Sequence, residues 1–298
     1  MKYLITGNGT FANAMIKKLL KTDVEEIRVL NRSEKSQLES KMEHNDSRVK
    51  YIIGDIRDYD TMLSATNGVD YVLHSAAMKF IDKCEAFPLE AKRTNIDGSI
   101  NVMLASIENK VKKVVLLSTD KATNATTIYG NTKMFMEMFA QCVDNKETSL
   151  ITTRYGNVVG SNGSVIPIFK KLASEGKPLT ITDRNITRFF MTIDEAIDLV
   201  LYALENGKHK DLFVFNNKSC TIGEIADCIS SNQITTGLRC IEKTDEALLT
   251  INELNHSELI GNYYRVSKDI ENYTHDEPLT SDNAKRFTKK ELTELIYG

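Results

Sequence analysis

Residues 1–20 read MKYLITGNGTFANAMIKKLL: an apolar run, a glycine turn, then an amphipathic stretch. Gly7, Gly9 and Ala12 fit the pattern G-x-G-x-x-A. The first glycine allows a tight turn, the second lets the backbone approach a pyrophosphate, and the third small residue lets the helix pack on the strand. Such a turn also aims a helix N-terminus at the phosphates, which adds Thr10 and Phe11 to the candidate cofactor residues. Alone the pattern equally describes a structural turn. Directly after the first strand of a βαβ unit, it reads as the seat of a dinucleotide.

Further along, short runs rich in Val and Ile alternate with longer stretches of helical spacing. The runs are EIRVLN (26–31), VKYIIGD (49–55), VDYVLHSAA (69–77), KKVVLLST (112–119) and SLITTRYG (149–156). Between them lie SEKSQLESKMEH (33–44), RDYDTMLSAT (57–66), PLEAKRTNIDGSINVMLASIEN (88–109) and YGNTKMFMEMFAQCVDN (129–145). Strands apolar on both faces belong to a parallel sheet covered by helices. The expected fold class is therefore α/β, a Rossmann-like doubly wound parallel sheet with a smaller C-terminal substrate-binding lobe. Residues 1–160 read as the nucleotide domain and 161–298 mainly as the lobe, partly interleaved with late strands of the sheet. Capping boxes open helices at Thr192/Glu195, Thr221/Glu224 and Thr288/Glu291, whereas residues 232–287 are polar and weakly periodic.

Across 298 residues the net charge is −3 without long runs of either sign, which favours neither nucleic acid nor an anionic membrane. The five cysteines form no CxxC pair and read as reduced thiols, and the five histidines show no ligand spacing, so no metal is expected. MKYLIT is too short for a signal-peptide core and no stretch approaches a membrane span, so a soluble cytoplasmic protein is expected.

The second strand ends at Asn31-Arg32-Ser33, without the carboxylate that would hold the ribose hydroxyls of NAD. An arginine there pairs with the extra phosphate of NADP, so the expected cofactor is NADP. Asp55 and Ile56 in GDIRD are placed to meet an adenine ring, although Asp55 equally suits a cap for the next helix. Ala76 and Ala77 are small enough for close cofactor approach.

STDKATNATTIYGNTK (118–133) carries the chemistry. Tyr129 and Lys133, four apart, lie on one helix face. A phenol titrating near about 10 is a poor base at neutrality, but an adjacent ammonium and a nicotinamide cation favour the phenolate. Thr119, Asp120 and Lys121 crown the carboxyl end of the fifth strand, where open α/β sheets place their chemistry. A helix cap by Thr119 or Asp120 is the plainer alternative.

These motifs, with HSAAMK, KRTNIDGSINV, RYGNVVGSNGSVIPIFKK and TRFFMTIDEA, resemble the extended short-chain dehydrogenase/reductase family over roughly residues 1–250. Within it the chain looks like the inverting UDP-N-acetylglucosamine 4,6-dehydratases of surface-glycan synthesis. The resemblance implies that Tyr129, supported by Lys133 and Thr119, takes the carbon-4 hydroxyl proton while the cofactor oxidises that carbon. Lys121 then takes the carbon-5 proton, Asp120 protonates the leaving carbon-6 hydroxyl, and Lys121 reprotonates carbon 5 on the other face. For Lys121 to act as a base its pKa must fall, which burial beside Lys133 or the nicotinamide would promote.

The resemblance also implies that Tyr155 walls the nicotinamide and that Asn157, Val165, Arg188, Arg239 and Glu242 contact a UDP-sugar. Lys79 falls to cofactor or substrate. It further implies a homo-oligomer. The chain departs from the family in two places: TGNGTFA is one residue shorter than the usual Gly-x-x-Gly-x-x-Gly, and GLRCIEK lacks the Pro-Gly that usually follows Gly-x-Arg. A UDP-sugar 4-epimerase and a non-catalytic NADP-binding regulator stay open as alternatives.

Overall fold

The computed structural model of the chain describes residues 1–161 and 163–298. Six strands come first: β1 (Lys2–Thr6), β2 (Glu26–Asn31), β3 (Val49–Ile53), β4 (Tyr71–His74), β5 (Lys113–Leu117) and β6 (Ser149–Arg154). They alternate with α1 (Thr10–Leu19), α2 (Glu34–His44), α3 (Tyr59–Thr66), α4 (Ile81–Ala86), α5 (Pro88–Lys92), α6 (Gly98–Glu108) and α7 (Ile128–Cys142). After them come β7 (Asn157–Val158), α8 (Val165–Ser174), β8 (Leu179–Ile181), β9 (Thr187–Met191), α9 (Ile193–Asn206), β10 (Leu212–Phe215), β11 (Lys218–Thr221) and α10 (Ile222–Ile229). The chain closes with β12 (Gln233–Thr235), β13 (Ala247–Leu249), α11 (Ile251–Asn255), β14 (Ser257–Ile260), β15 (Tyr263–Val266), β16 (Leu279–Thr280) and α12 (Lys289–Tyr297).

Among the described residues the main sheet has nine strands in the order β14-β15-β10-β6-β5-β4-β1-β2-β3. From β10 to β3 every pairing is parallel, and β15 and β14 add an antiparallel edge. The expected doubly wound α/β fold is therefore present. Its continuous apolar strands have a direct cause, because successive side chains point to opposite faces and both faces are covered. Leu4 packs with Val72, Val114 and Met136 on one face, while Ile5 packs with Met15, Ile27 and Val200 on the other. Each such side chain contributes about 1.5–3 kcal/mol on burial. Strand order reverses at β1, whose neighbours are β4 and β2. Such a switch point opens a crevice at the strands' carboxyl ends.

Three capping boxes stand where the sequence places them, and a fourth joins Thr250 to Glu253. That fourth helix has five residues, too few for a periodic signal, and it lies in the stretch that reads as weakly periodic. Residues 88–109, read as one helical stretch, are broken by a π turn at Arg93–Asp97. The widened turn presents buried Asn95, which donates to the Met78 carbonyl at 2.9 Å and to the Thr132 hydroxyl at 3.0 Å, and accepts from the Met78 N–H at 2.8 Å.

Arg154, at the end of β6, ties the late segment to the sheet. Its Nε and Nη2 donate to Glu137 of α7, its Nη1 to the Leu248 carbonyl at 2.8 Å, and its Nη2 also to Glu253 at 2.9 Å. The side chain is 4% exposed. Burial alone would lower its pKa, but Glu137 and Glu253 together raise it. At the end of β4, fully buried His74 joins Thr6 at 2.7 Å and Ser99 at 2.8 Å, fixing the turn that follows. Burial, with Lys133 adding to it, pushes His74 down to about 3.

Arg154→Met strands the buried Glu137 and the partly buried Glu253 carboxylate and should cost about 3–5 kcal/mol in urea denaturation; a loss under about 1 kcal/mol would show that water reaches them. His74 is neutral when folded and takes a proton below its ordinary pKa when unfolded. Stability therefore falls as pH drops from about 6.5 towards 3, by about 1.5 kcal/mol between pH 6.5 and 5. His74→Asn should flatten that slope in the same measurement.

Candidate active site

Gly7 sits at φ +87°, and a Cβ there would lie 3.1 Å from the Ala76 nitrogen, so only glycine lets β1 turn this close to the strand beside it. Gly9 precedes α1 with no side-chain cap, and a Cβ on it would meet no atom of the described residues within 4 Å. Asn8 donates to the Ser36 carbonyl at 2.8 Å, which staples the turn to α2. An open backbone at an uncapped helix N-terminus suits an anionic group. Gly7, Gly9, Thr10, Phe11, Ala76, Ala77, Tyr129, Lys133 and Tyr155 all line one cavity of about 620 Å³. Ala12 lies beneath it, fully buried in the core.

The adenosine-side candidates stand apart from that lining. Ser33 caps α2 by accepting from the Ser36 N–H, and Asn31 accepts from the Ser33 N–H. Arg32 is about half exposed, with Nη1 3.5 Å from Asp55. Asp55 is not the cap of α3; Asp58 is. Instead Asp55 accepts from the Arg57 guanidinium at 2.6 and 2.9 Å. Burial would raise Asp55, but the bonds from Arg57 and the charge of Arg32 leave it lowered. Ile56 is 4% exposed, with its side chain packed over Gly98. Its side chain is therefore part of the core, alongside Leu30 and Val102.

At the end of β5, Thr119 accepts from the Lys121 N–H at 3.4 Å and so caps a short 3-10 turn over Asp120–Ala122. The cap does not exhaust these side chains. Asp120 is fully buried; its Oδ1 accepts from the Thr119 hydroxyl at 2.9 Å and from Lys121 Nζ at 3.0 Å, while its Oδ2 has no partner among the described residues. Lys121 Nζ also reaches Asn157 Oδ1 at 3.5 Å and Glu246 Oε1 at 3.7 Å.

Opposite them, Thr127 and Glu85 cap α7 by accepting from the Gly130 and Ile128 N–H groups. Gly130 is required: a Cβ there would fall 2.3 Å from the Lys121 carbonyl oxygen. Lys133 donates to the Leu117 carbonyl at 2.8 Å, and burial pushes it down to about 8 against the pull of Glu137.

Two electrostatic expectations change. Burial would lower Lys121, but the carboxylates of Asp120 and Glu246 outweigh it and the pKa is raised. Tyr129 is raised by burial and then by Asp120, with the Thr119 hydroxyl opposing, so this pocket on its own holds the phenol protonated. Tyr155 is raised by burial and then by Tyr129.

A second cavity of about 640 Å³ is lined by Lys79, Lys121, Asn157, Val165, Arg188, Arg239 and Glu242, among others. Lys79, Lys121 and Asn157 line both cavities, so the two meet at the Lys121 side chain. Lys79 is exposed, yet desolvation by its surroundings lowers its pKa. Arg188 is less free than its motif implies, because Nη1 and Nη2 donate to the carbonyls of Thr187 at 2.7 Å and Lys243 at 2.8 Å. Arg239 is exposed and pairs with Asp82 at 3.2 Å and Glu242 at 3.5 Å, while Glu242 accepts from Thr182 at 3.0 Å. Sequence reading missed Glu246, Lys243 and Arg154, which no motif spacing marks.

The crevice at a switch point and a Tyr-x-x-x-Lys helix define a short-chain dehydrogenase/reductase architecture. A family model described as polysaccharide biosynthesis protein matches residues 3–268, and the chain belongs to that family. It is 39% identical to the UDP-glucose 4-epimerase of Rickettsia prowazekii over 97% of this chain and 93% of that one. The crystal structure of Pen from Bacillus thuringiensis superposes with a TM-score of 0.93 at 33% identity, covering 99% of this chain and 96% of Pen. A dTDP-glucose 4,6-dehydratase from Streptomyces venezuelae, solved with NAD and TYD bound, shares the fold at 20% identity and a TM-score of 0.76, covering 82% of this chain and 87% of that one.

Proposed function

We propose that the chain is an NADP-dependent hydro-lyase that converts UDP-N-acetylglucosamine to a UDP-4-keto-6-deoxy sugar with inversion at carbon 5. One observation carries this reading: Lys121, which lines both cavities, is bonded at 3.0 Å to the fully buried Asp120, whose charge reaches Tyr129. A bound nicotinamide dinucleotide supplies the oxidant for carbon 4 and the two-electron reductant for carbon 6. Gly7, Gly9, Ala76 and Ala77 would hold it, with Arg32 toward the adenosine end.

Tyr129 accepts the proton of the carbon-4 hydroxyl, with the Lys133 ammonium and the cofactor's positive charge offsetting the burial that raises the phenol. The 4-ketone acidifies carbon 5. Lys121 rests as an ammonium bonded to Asp120 at 3.0 Å. Moving one proton along that bond makes an amine and a carboxylic acid together, the base for carbon 5 and the acid for the carbon-6 hydroxyl. Taking the carbon-5 proton and protonating the hydroxyl returns the pair to ammonium and carboxylate as water leaves. The ammonium then protonates carbon 5 from the other face. The raised Lys121 pKa opposes that transfer in the free pocket, and the positive charge of a bound cofactor would work against the rise.

A UDP-sugar 4-epimerase is the second reading, favoured by the name of the 39% identical relatives and served by the same Tyr129 and Lys133. It leaves Asp120 and Lys121 without a proton to move.

The wild type should release 4-keto-6-deoxy product carrying one solvent deuterium at carbon 5 with inverted configuration, read by mass spectrometry and NMR; a 4-epimer instead would remove the dehydratase reading. Lys121→Ala should lower elimination by about 100-fold or more. Titration calorimetry should give NADP tighter binding than NAD by about tenfold, with Arg32→Ala closing the gap; equal affinities in the wild type would reject the Arg32 assignment.

A further inference from the structure

Glu246 precedes β13 in the polar segment that sequence patterning leaves unread. It is 5% exposed, yet it lines the outer cavity. Its backbone is clamped: the Glu246 N–H donates to the Ser281 hydroxyl at 3.0 Å, and the Ser281 N–H donates to the Glu246 carbonyl at 2.7 Å. Ser281 is fully buried and bonds in turn to the Thr187 carbonyl at 3.0 Å and hydroxyl at 2.7 Å. The carboxylate therefore has a fixed base.

Three cations surround it: Lys121 Nζ at 3.7 Å and Arg188 Nε at 4.0 Å from Oε1, and Lys243 Nζ at 3.6 Å from Oε2. None is within hydrogen-bonding distance, and Oε2 is buried without a hydrogen-bond partner among the described residues. A buried carboxylate oxygen lacking a donor is costly, so its retention here asks for a reason. Arg188 is anchored on backbone carbonyls and Lys243 donates to the Thr123 carbonyl at 3.3 Å. Lys121 alone of the three belongs to the reactive turn.

We propose that Glu246 is a positioning residue, a carboxylate that the C-terminal segment delivers opposite Asp120 so that the Lys121 side chain is suspended between the two and aimed at carbon 5 of the sugar. The assignment rests on the dehydratase reading. The ammonium keeps its bond to Asp120 Oδ1 at 3.0 Å, and the second carboxylate, 3.7 Å away, limits how far the side chain can turn from the cavity that Glu246 lines. The direction of the Lys121 shift agrees, with burial opposed first by Asp120 and then by Glu246. As the carbon-5 proton arrives and positive charge returns to Lys121, Glu246 offers that charge a second partner.

The test uses the full-length protein with bound cofactor, turning over UDP-N-acetylglucosamine while the absorbance of reduced nicotinamide is followed. Glu246→Gln keeps the volume and removes the charge. Misaiming Lys121 slows the carbon-5 step relative to carbon-4 oxidation, so kcat should fall about 10- to 100-fold while reduced cofactor accumulates during turnover. Glu246→Asp should fall between wild type and Glu246→Gln in both readouts, and it carries the test should the glutamine variant fail to fold. A variant that lost only folded protein would lose rate without accumulating reduced cofactor.

Wild-type kcat in Glu246→Gln, or a lower kcat with no reduced cofactor, overturns the assignment of Glu246 and leaves the dehydratase reading intact. A wild type that yields only a 4-epimer overturns both, and Lys121→Ala run alongside separates the cases by losing elimination only if Lys121 is the carbon-5 base.

Discussion

The site depends on how closely α7 lies against the carboxyl end of β5. That approach exists because residue 130 has no side chain, since a Cβ would sit 2.3 Å from the Lys121 carbonyl. From this one contact follow the burial of Asp120, the placement of Tyr129 one residue before the glycine, and the reach of Lys133 to the Leu117 carbonyl. Dense packing transmits position without flexible linkers. The helix start is held twice over, by Thr127 and by Glu85.

Close packing also sets the electrostatics. Desolvation pushes Lys133 and His74 towards neutrality and holds Tyr129 protonated. Lys121, in the same enclosure, goes the other way because two carboxylates face it. Burial alone therefore does not tell which protonation state a lysine takes; the sign is set by partners.

Those partners mark the limit of what the sequence could tell. Gly7, Gly9, Asp120, Lys121, Tyr129 and Lys133 are legible because each motif is local, a turn or a helical spacing with its own geometry. The parallel sheet is legible because burial on both faces leaves unbroken apolar strands. Glu246 and Arg154 are not, since their meaning lies in residues far along the chain, and β12, β13 and α11 run only three to five residues. Periodicity needs more length than that. The packing of Ile56 over Gly98, distant in sequence, is likewise marked by no local motif.

The Arg154 cluster bears on the order in which the molecule becomes itself. Glu137 precedes Arg154 by 17 residues and is present when β6 is made, but Glu253 follows 99 residues later. Until that late carboxylate arrives, a guanidinium at the rim of the sheet has only part of its final company, and contacts of such sequence separation form slowly. The segment that brings Glu253 also brings Glu246. Completion of the scaffold and completion of the reactive turn are thus one event, and a nascent chain acquires its chemistry only when its last third has docked.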